Sequence, residues 1–247
     1  MVVFERTKGL TDKKTHYCPG CSHGIVHRVL GEVLEEMGEL GNSIFTSPVG
    51  CAVFAYEYLN IDSLQCAHGR PPAVATGIKR VLPDRMVITY QGDGDLASIG
   101  MAEIIHAAAR SENITTIFIN NGIYGMTGGQ MAPTTIPGMK ATTAQAGRDV
   151  SLQGYPIRVS ELISALDGAK YVERVAVNNP ANVEKTKRAI RKALELQKQN
   201  AGFSMIEVMS ACPTNWGMSS LDALKFVTEK MIPYYPLGVY KDFQGEA

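Results

Sequence analysis

Between residues 23 and 37 the apolar positions are Ile25, Val26, Val29, Leu30, Val33, Leu34 and Met37. That spacing lays them on one face of a helix, and Gly38 offers its C-terminal stop. Ile44-Phe45-Thr46 reads as a short strand. Pro71-Pro72 opens a second helical stretch that runs to Val81, as proline is tolerated in a first turn. The unbroken run Met86-Val87-Ile88-Thr89-Tyr90 predicts a buried strand, and a helix follows from about Leu96 to Arg110. The run from Ile114 to Ile119 predicts another buried strand. Residues 124–150 are rich in Gly, Thr, Ala and Pro and show little periodicity. They are expected to form a long functional or mobile loop, with Met126, Met131 and Met139 as lid packing. Beyond it, 159–167 read as helix, 171–177 as strand, 183–198 as an amphipathic helix with a basic solvated face, and 203–209 as strand. The last forty residues start near Cys212-Pro213 and carry one helix and a tail rich in Pro and Tyr.

Strands alternating with helices predict an α/β fold with a largely parallel sheet flanked by helices. No internal repeat is visible, and 247 residues suffice for one sizeable core. Parallel sheets of this kind bind ligands outside the carboxyl ends of their strands. Four segments directly follow predicted strands: Ser47 to Cys51, Gln91 to Asp95, Asn120 to Met126, and Ser210 to Cys212. They hold metal-ligating residue types and two of the five cysteines.

Lys+Arg and Asp+Glu both number 24, so no basic excess points to a nucleic-acid or membrane partner. No apolar run approaches a membrane span. The N-terminus lacks a signal pattern, and a cytoplasmic location is expected. The cysteine count is odd, which argues against a disulfide framework. Metal binding, catalysis and plain burial remain open for them.

The segment from Gly92 to Asn121 carries the most chemistry. Gly92-Asp93-Gly94 follows one strand, and Asn120-Asn121-Gly122 follows the next. Each is a common turn former by itself. Together they bring a carboxylate, an amide oxygen and backbone carbonyls to one sheet edge, a hard-oxygen set suited to Mg²⁺ holding a diphosphate. The glycines lack the third position of a dinucleotide fingerprint, and no Gly-Lys-Ser/Thr loop exists. Cys18 and Cys21 form a C-x-x-C, which suits half a zinc site, a redox dithiol or part of an iron–sulfur site. A second C-x-x-C is absent, and no strand precedes the first. Cys51 and Cys212 follow predicted strands, whereas Cys66 reads as packing. His68-Gly69-Arg70 precedes a helix, where an imidazole or guanidinium can meet phosphate oxygens. His16, His23, His27 and His106 have no comparable context.

Taken in order, Tyr17-Cys18-Pro19-Gly20-Cys21, Pro48-Val49-Gly50-Cys51, Ala67-His68-Gly69-Arg70, Gly92-Asp93-Gly94-Asp95, Asn120-Asn121 and Tyr124-Gly125-Met126-Thr127-Gly128-Gly129-Gln130 make a joint pattern. With it, the chain resembles the β subunit of 2-oxoacid:ferredoxin oxidoreductases over most of residues 16–217. The resemblance implies a thiamine diphosphate-binding fold for residues 1–247, with an N-terminal cluster-binding segment and a C-terminal tail. It implies that Cys18, Cys21, Cys51 and Cys212 bind one [4Fe-4S] cluster. It further implies that Asp93, the Asn121 side chain and the Ile123 carbonyl bind Mg²⁺. Val49, Gly50, Cys51, Ala52, His68, Gly94, Asp95, Gly125 and Met126 would contact thiamine diphosphate. Cys66 matches no ligand position.

The reaction implied is oxidative decarboxylation of a 2-oxoacid to acyl-CoA and CO2, with coenzyme A as co-substrate and ferredoxin as electron acceptor. The glutamate that activates the cofactor lies, in such enzymes, on a pyrimidine-binding domain for which this chain has no room. An α subunit is therefore expected, with a γ and a ferredoxin-like subunit in some members. Phe54 stands where some members resembling 2-oxoglutarate enzymes carry a basic residue, which leans toward apolar, branched-chain 2-oxoacids. Two alternatives use the same residues differently. A non-redox thiamine-dependent decarboxylase subunit needs Asp93 and Asn121 but not four cysteines. A non-catalytic zinc or iron–sulfur protein needs the cysteines alone. Iron content and thiamine diphosphate binding separate the three.

Overall fold

The computed structural model describes residues 5–243. Among the described residues, nine strands occur in chain order: β1 (Ser43–Ser47), β2 (Asp62–Gln65), β3 (Met86–Gly92), β4 (Thr115–Asn120), β5 (Ile123–Tyr124), β6 (Gln130–Met131), β7 (Ala169–Ala176), β8 (Phe203–Met209) and β9 (Gly238–Asp242). Seven of them make one sheet in the order β2-β1-β3-β4-β8-β7-β9, and β5 pairs with β6 in a small hairpin. All neighbours in the large sheet are parallel except β9, which runs antiparallel to β7. The sheet is thus largely parallel, as the alternation of elements predicts.

Burial on both faces explains the unbroken apolar runs of the central strands. Ile88, Ile117 and Ile206 face one layer with Val26, Leu30, Leu34, Ile190 and Leu194, from the helices His23–Glu36 and Pro180–Lys198. Their neighbours Val87, Phe118 and Met205 face the other layer with Ala75, Ile104 and Ile163, from helices Pro71–Val81, Met101–Ala109 and Val159–Ser164. Burial of each such large side chain contributes about 1.5–3 kcal/mol relative to exposure. Among the described residues, no helix is long and apolar enough to cross a membrane.

The structure departs from the sequence expectations in several places. Helix Pro180–Lys198 starts before residue 183, because the Asn179 side chain accepts from the Asn182 amide at 2.9 Å and Pro180 fits the first turn. The helix expected from Leu96 to Arg110 is split into a wide turn, Asp95–Ile99, and the helix Met101–Ala109. Gly100 makes the break. A Cβ there would stand 2.3 Å from the Asp95 carbonyl oxygen and 2.7 Å from that of Gly69. The close approach presses the His68-Gly69 turn against the loop after β3. Edge strands β2 and β9 escaped prediction, since β2 is exposed at every position and β9 follows the Pro/Tyr-rich stretch.

A buried cluster of rings sits beneath β1 and β3. Tyr17 stacks on His23 with centroids 4.8 Å apart, the His23 Nδ1 and Tyr90 hydroxyl are 2.8 Å apart, and His27 Nε2 lies 3.3 Å from the Tyr17 hydroxyl. Burial, reinforced by His23 and His16, pushes the His27 pKa down to about 3 from an ordinary 6.5. The unfolded chain therefore binds the extra proton between these values. His27 supports the fold fully above pH 6.5, and the support drains away as pH falls toward 3. His27→Gln is expected to flatten the pH dependence of unfolding by up to about 1.4 kcal/mol per pH unit in that window. Urea melts of both proteins between pH 7 and 5 check this, and equal slopes would refute it.

Candidate active site

The register of the central strands sets the site. Gly92 of β3 pairs with Ile119 of β4, and Asn120 of β4 pairs with Met209 of β8. The next residues, Asp93, Asn121 and Ser210, therefore emerge side by side at the carboxyl edge, with Pro48 to Cys51 beside them after β1. These loops surround a cavity of about 300 Å³. Val49, Gly50, Cys51, Ala52, His68, Gly94, Asp95, Gly125 and Met126 all line it, as do Asp93, Asn121 and Ile123. Its walls also include Tyr124 and Thr127 of the Tyr124-to-Gln130 motif, and His23, Ser98 and Ile99, which no motif marks. Ile99 and Met126 are each 51% exposed at the rim.

Asp93 is almost fully buried. Burial pushes its carboxyl up to about 6, although the Thr134 hydroxyl donates to Oδ2 at 2.6 Å and the Gly122 and Asn121 amides also donate. A buried carboxylate held that high lacks a cationic partner. Asn121 Oδ1 accepts from the Ile123 amide at 3.2 Å, and Asn120 Oδ1 from the Gly122 amide at 3.1 Å, so the turn is built from its own side chains.

Asp95 has a different environment. Its Oδ1 accepts from His68 Nδ1 at 2.7 Å, the Gly69 amide at 3.0 Å and the Val49 amide at 3.2 Å, while Oδ2 accepts from Gln91 Nε2 at 2.6 Å. The residue lines the cavity, yet its carboxylate is spent on tying three loops together. His68 consequently keeps Nε2 for an incoming group.

The long segment 124–150 is not a lid. Thr134 and Thr135 are fully buried, and Met139 is 6% exposed. Thr135 donates to the Gly122 carbonyl at 2.5 Å, Arg148 to the carbonyls of Pro133 and Thr135 at 3.0 and 2.8 Å, and the Tyr235 hydroxyl to the Thr134 carbonyl at 2.8 Å. One guanidinium replaces the missing secondary structure by satisfying the segment's carbonyls. Of the three methionines only Met126 stands exposed at the cavity. A second brace reaches the Asn turn. Arg174 donates to Glu207 at 2.9 Å, and Glu207 accepts from Asn120 Nδ2 at 2.7 Å, all fully buried. Thr134, Arg148, Glu207 and Tyr235 thus shape the site from distant sequence positions, with no local motif to betray them.

The cysteines divide as four and one. Burial pushes the Cys51 thiol up to about 12, and Cys212, Cys21 and Cys18 push it further. Burial likewise raises Cys21 to about 11, with Cys212 and Cys18 adding to it, and it raises Cys212 too. Cys51, Cys21 and Cys212 thus resist ionising without a positive charge beside them, and Cys18 lies close enough to act on all three. Cys66 is buried elsewhere, its Sγ 3.6 Å from the Leu64 carbonyl oxygen. Among the described residues, no three His, Cys, Asp or Glu side chains form the ligand set of a single ion.

Residues 48–208 match the family described as thiamine pyrophosphate enzyme, C-terminal TPP binding domain. The chain is 47% identical over 244 residues to ketoisovalerate oxidoreductase subunit VorA of Methanothermobacter thermautotrophicus, covering 99% of this chain and 51% of that protein. It is 41% identical over 228 residues to 2-oxoglutarate synthase subunit KorB of Methanocaldococcus jannaschii, covering 90% of this chain and 80% of that one. The chain spans about half the length of the VorA relatives it matches. Its fold superposes on a 2-oxoglutarate:ferredoxin oxidoreductase from Magnetococcus marinus, solved with 2-oxoglutarate, coenzyme A and succinyl-CoA bound. The TM-score is 0.83 at 25% identity, over 100% of this chain and 88% of that one. The chain belongs to the thiamine pyrophosphate-binding subunits of the 2-oxoacid:ferredoxin oxidoreductase family.

Proposed function

We propose that this chain is the β subunit of an enzyme that oxidatively decarboxylates a 2-oxoacid to acyl-CoA and CO2, passing two electrons through a [4Fe-4S] cluster to ferredoxin. The observation that carries the reading is the convergence of the loops after β1, β3 and β4 on one cavity that contains Asp93 and Asn121. The residues present suit the groups required. Asp93, a buried carboxylate short of a cation, would hold Mg²⁺ together with the Asn121 side chain and the Ile123 carbonyl. The thiols of Cys18, Cys21, Cys51 and Cys212 lie close together, and as thiolates they are a donor set whose negative charge iron would neutralise. A cubane takes its thiolates at separate corners, so it does not need the tight grouping of a single-ion site.

Bound thiamine diphosphate supplies the electron sink for decarboxylation, and a [4Fe-4S] cluster supplies one-electron acceptance. The protein's part is placement. Thr134 orients Asp93, while Asp95 fixes His68 by its Nδ1 and leaves Nε2 for an oxygen of the diphosphate. Gly94 admits the close approach of the Tyr124 ring and Gly125 that of the Cys51 sulfur, which a Cβ would meet at 3.2 and 2.9 Å. The apolar rim of Ile99 and Met126 suits cover by a pyrimidine-binding partner, which we take to be the α subunit, with γ or ferredoxin-like subunits in the same assembly. A cytoplasmic location belongs to this reading, because thiolates for iron stay reduced there.

The higher identity to VorA than to KorB favours a branched-chain 2-oxoacid. Phe54, whose apolar ring packs edge-on against His16 at 5.2 Å, is the residue that leans the sequence toward apolar substrates. The test is turnover by the complex purified anaerobically from its native host. Coenzyme A-dependent reduction of ferredoxin or viologen is expected with 2-oxoisovalerate above 2-oxoglutarate and pyruvate, and no turnover is expected from the isolated chain. Decarboxylation without electron transfer would favour the non-redox alternative.

A further inference from the structure

The loop that carries Gly125 is wrapped around one side chain from the far end of the sequence. Asn215 follows Cys212 by three residues, in the short helical turn Pro213–Trp216. Its Nδ2 donates to the Gly125 carbonyl at 3.0 Å and to the Cys212 sulfur at 3.3 Å. The Asn215 backbone N–H is directed at the same sulfur. On the other side, a Cβ built on Gly125 would stand 2.9 Å from the Cys51 sulfur, 3.5 Å from Asn215 Nδ2 and 3.6 Å from the Cys212 sulfur. A Cβ on Gly129 would stand 3.2 Å from Asn215 Oδ1. The carboxamide therefore fills the gap between two of the four clustered thiols and the backbone of a cavity wall.

We infer that Asn215 is a positioning residue that raises the reduction potential of the iron–sulfur cluster and locks its Cys212 corner to the Gly125 wall of the cofactor cavity. The inference rests on the proposed cluster ligation by Cys18, Cys21, Cys51 and Cys212. The physics is that of a donor beside a sulfur whose negative charge grows when the cluster gains an electron. An N–H aimed at that sulfur stabilises the reduced form more than the oxidised one, so hydrogen bonds to the sulfurs move the potential upward. The second N–H, held by the Gly125 carbonyl, fixes the amide so that little is lost in orienting it. No nearby side chain duplicates this bridge, because the opposing positions are glycines.

The experiment is a redox titration of the anaerobic complex followed by electron paramagnetic resonance, with iron and sulfide analysis of every sample. Asn215→Leu keeps the volume and removes the donor. One cluster signal is expected to move to a more negative potential by about tenfold in its reduction equilibrium, or about 59 mV for a one-electron couple, with iron content unchanged. Asn215→Ala removes the donor without adding bulk, and decides the matter if the leucine variant loses its cluster. Asn215→Asp places a negative charge at the sulfur and is expected to shift the signal further in the same direction. A wild-type complex whose chain lacks iron would overturn the cluster reading itself. A wild-type complex with its cluster, and donor-less variants of unchanged potential, would overturn the role of Asn215 alone.

Discussion

Asp93→Ala is expected to abolish Mg²⁺-dependent binding of thiamine diphosphate, and with it all turnover. The substitution removes the anionic ligand while leaving the diphosphate charge poorly compensated. Loss of affinity should exceed the roughly 10–100-fold typical of removing an outer-shell partner. That smaller loss is expected of Thr134→Val, which deletes the hydroxyl that orients Asp93. The fold should survive Asp93→Ala. Burial holds the Asp93 carboxyl at about 6, above the ordinary carboxylate range, so its ionised form opposes folding at neutral pH. Thermal melts of the cofactor-free variant should therefore show no fall in stability. Calorimetric titration of thiamine diphosphate with and without Mg²⁺ reads the binding, and full affinity in the alanine variant would contradict the assignment.

Cys212→Ser is expected to strip or convert the cluster, whereas Cys66→Ser should leave it intact. The two residues are alike in burial but not in company. Cys212 shares its surroundings with Asn215, Gly125 and the other three thiols. Cys66 lies against the Leu64 carbonyl, with Asp95 as its charged neighbour. About four irons and four sulfides per chain are expected for the wild type and for Cys66→Ser, as one cubane requires. Stoichiometric zinc without iron in anoxic preparations would instead support a structural metal site.

The parts of this arrangement that the sequence made legible share one property: the signal is local. Apolar-rich runs announced β3, β4 and β8, because both faces of a central parallel strand are buried. The Gly-Asp-Gly and Asn-Asn-Gly turns after them placed Asp93 and Asn121 at one sheet edge, where both line the cavity. What stayed hidden is determined at long range. Asp95 lines the cavity, but the binding of its carboxylate to His68, Gln91 and the Val49 amide is set by residues that no local motif joins. The segment 124–150 read as a long functional or mobile loop, because its order comes from Arg148 and Tyr235 and not from periodicity. His23 seemed unremarked on a helix face, yet that face meets the cavity. Edge strands β2 and β9 lack the apolar signature, because an edge position does not bury them.

The central claim is that one cavity at the carboxyl edge of the sheet holds thiamine diphosphate and Mg²⁺ beside an iron–sulfur cluster. An experimental structure of the anaerobic complex, prepared with thiamine diphosphate and Mg²⁺, tests it most directly. The account predicts the diphosphate among Val49 to Ala52, His68, Gly94 and Gly125-Met126, a metal ion on Asp93 and Asn121, and a cubane held by Cys18, Cys21, Cys51 and Cys212. A cofactor bound elsewhere, with this cavity and these four thiols left out of it, would contradict the account.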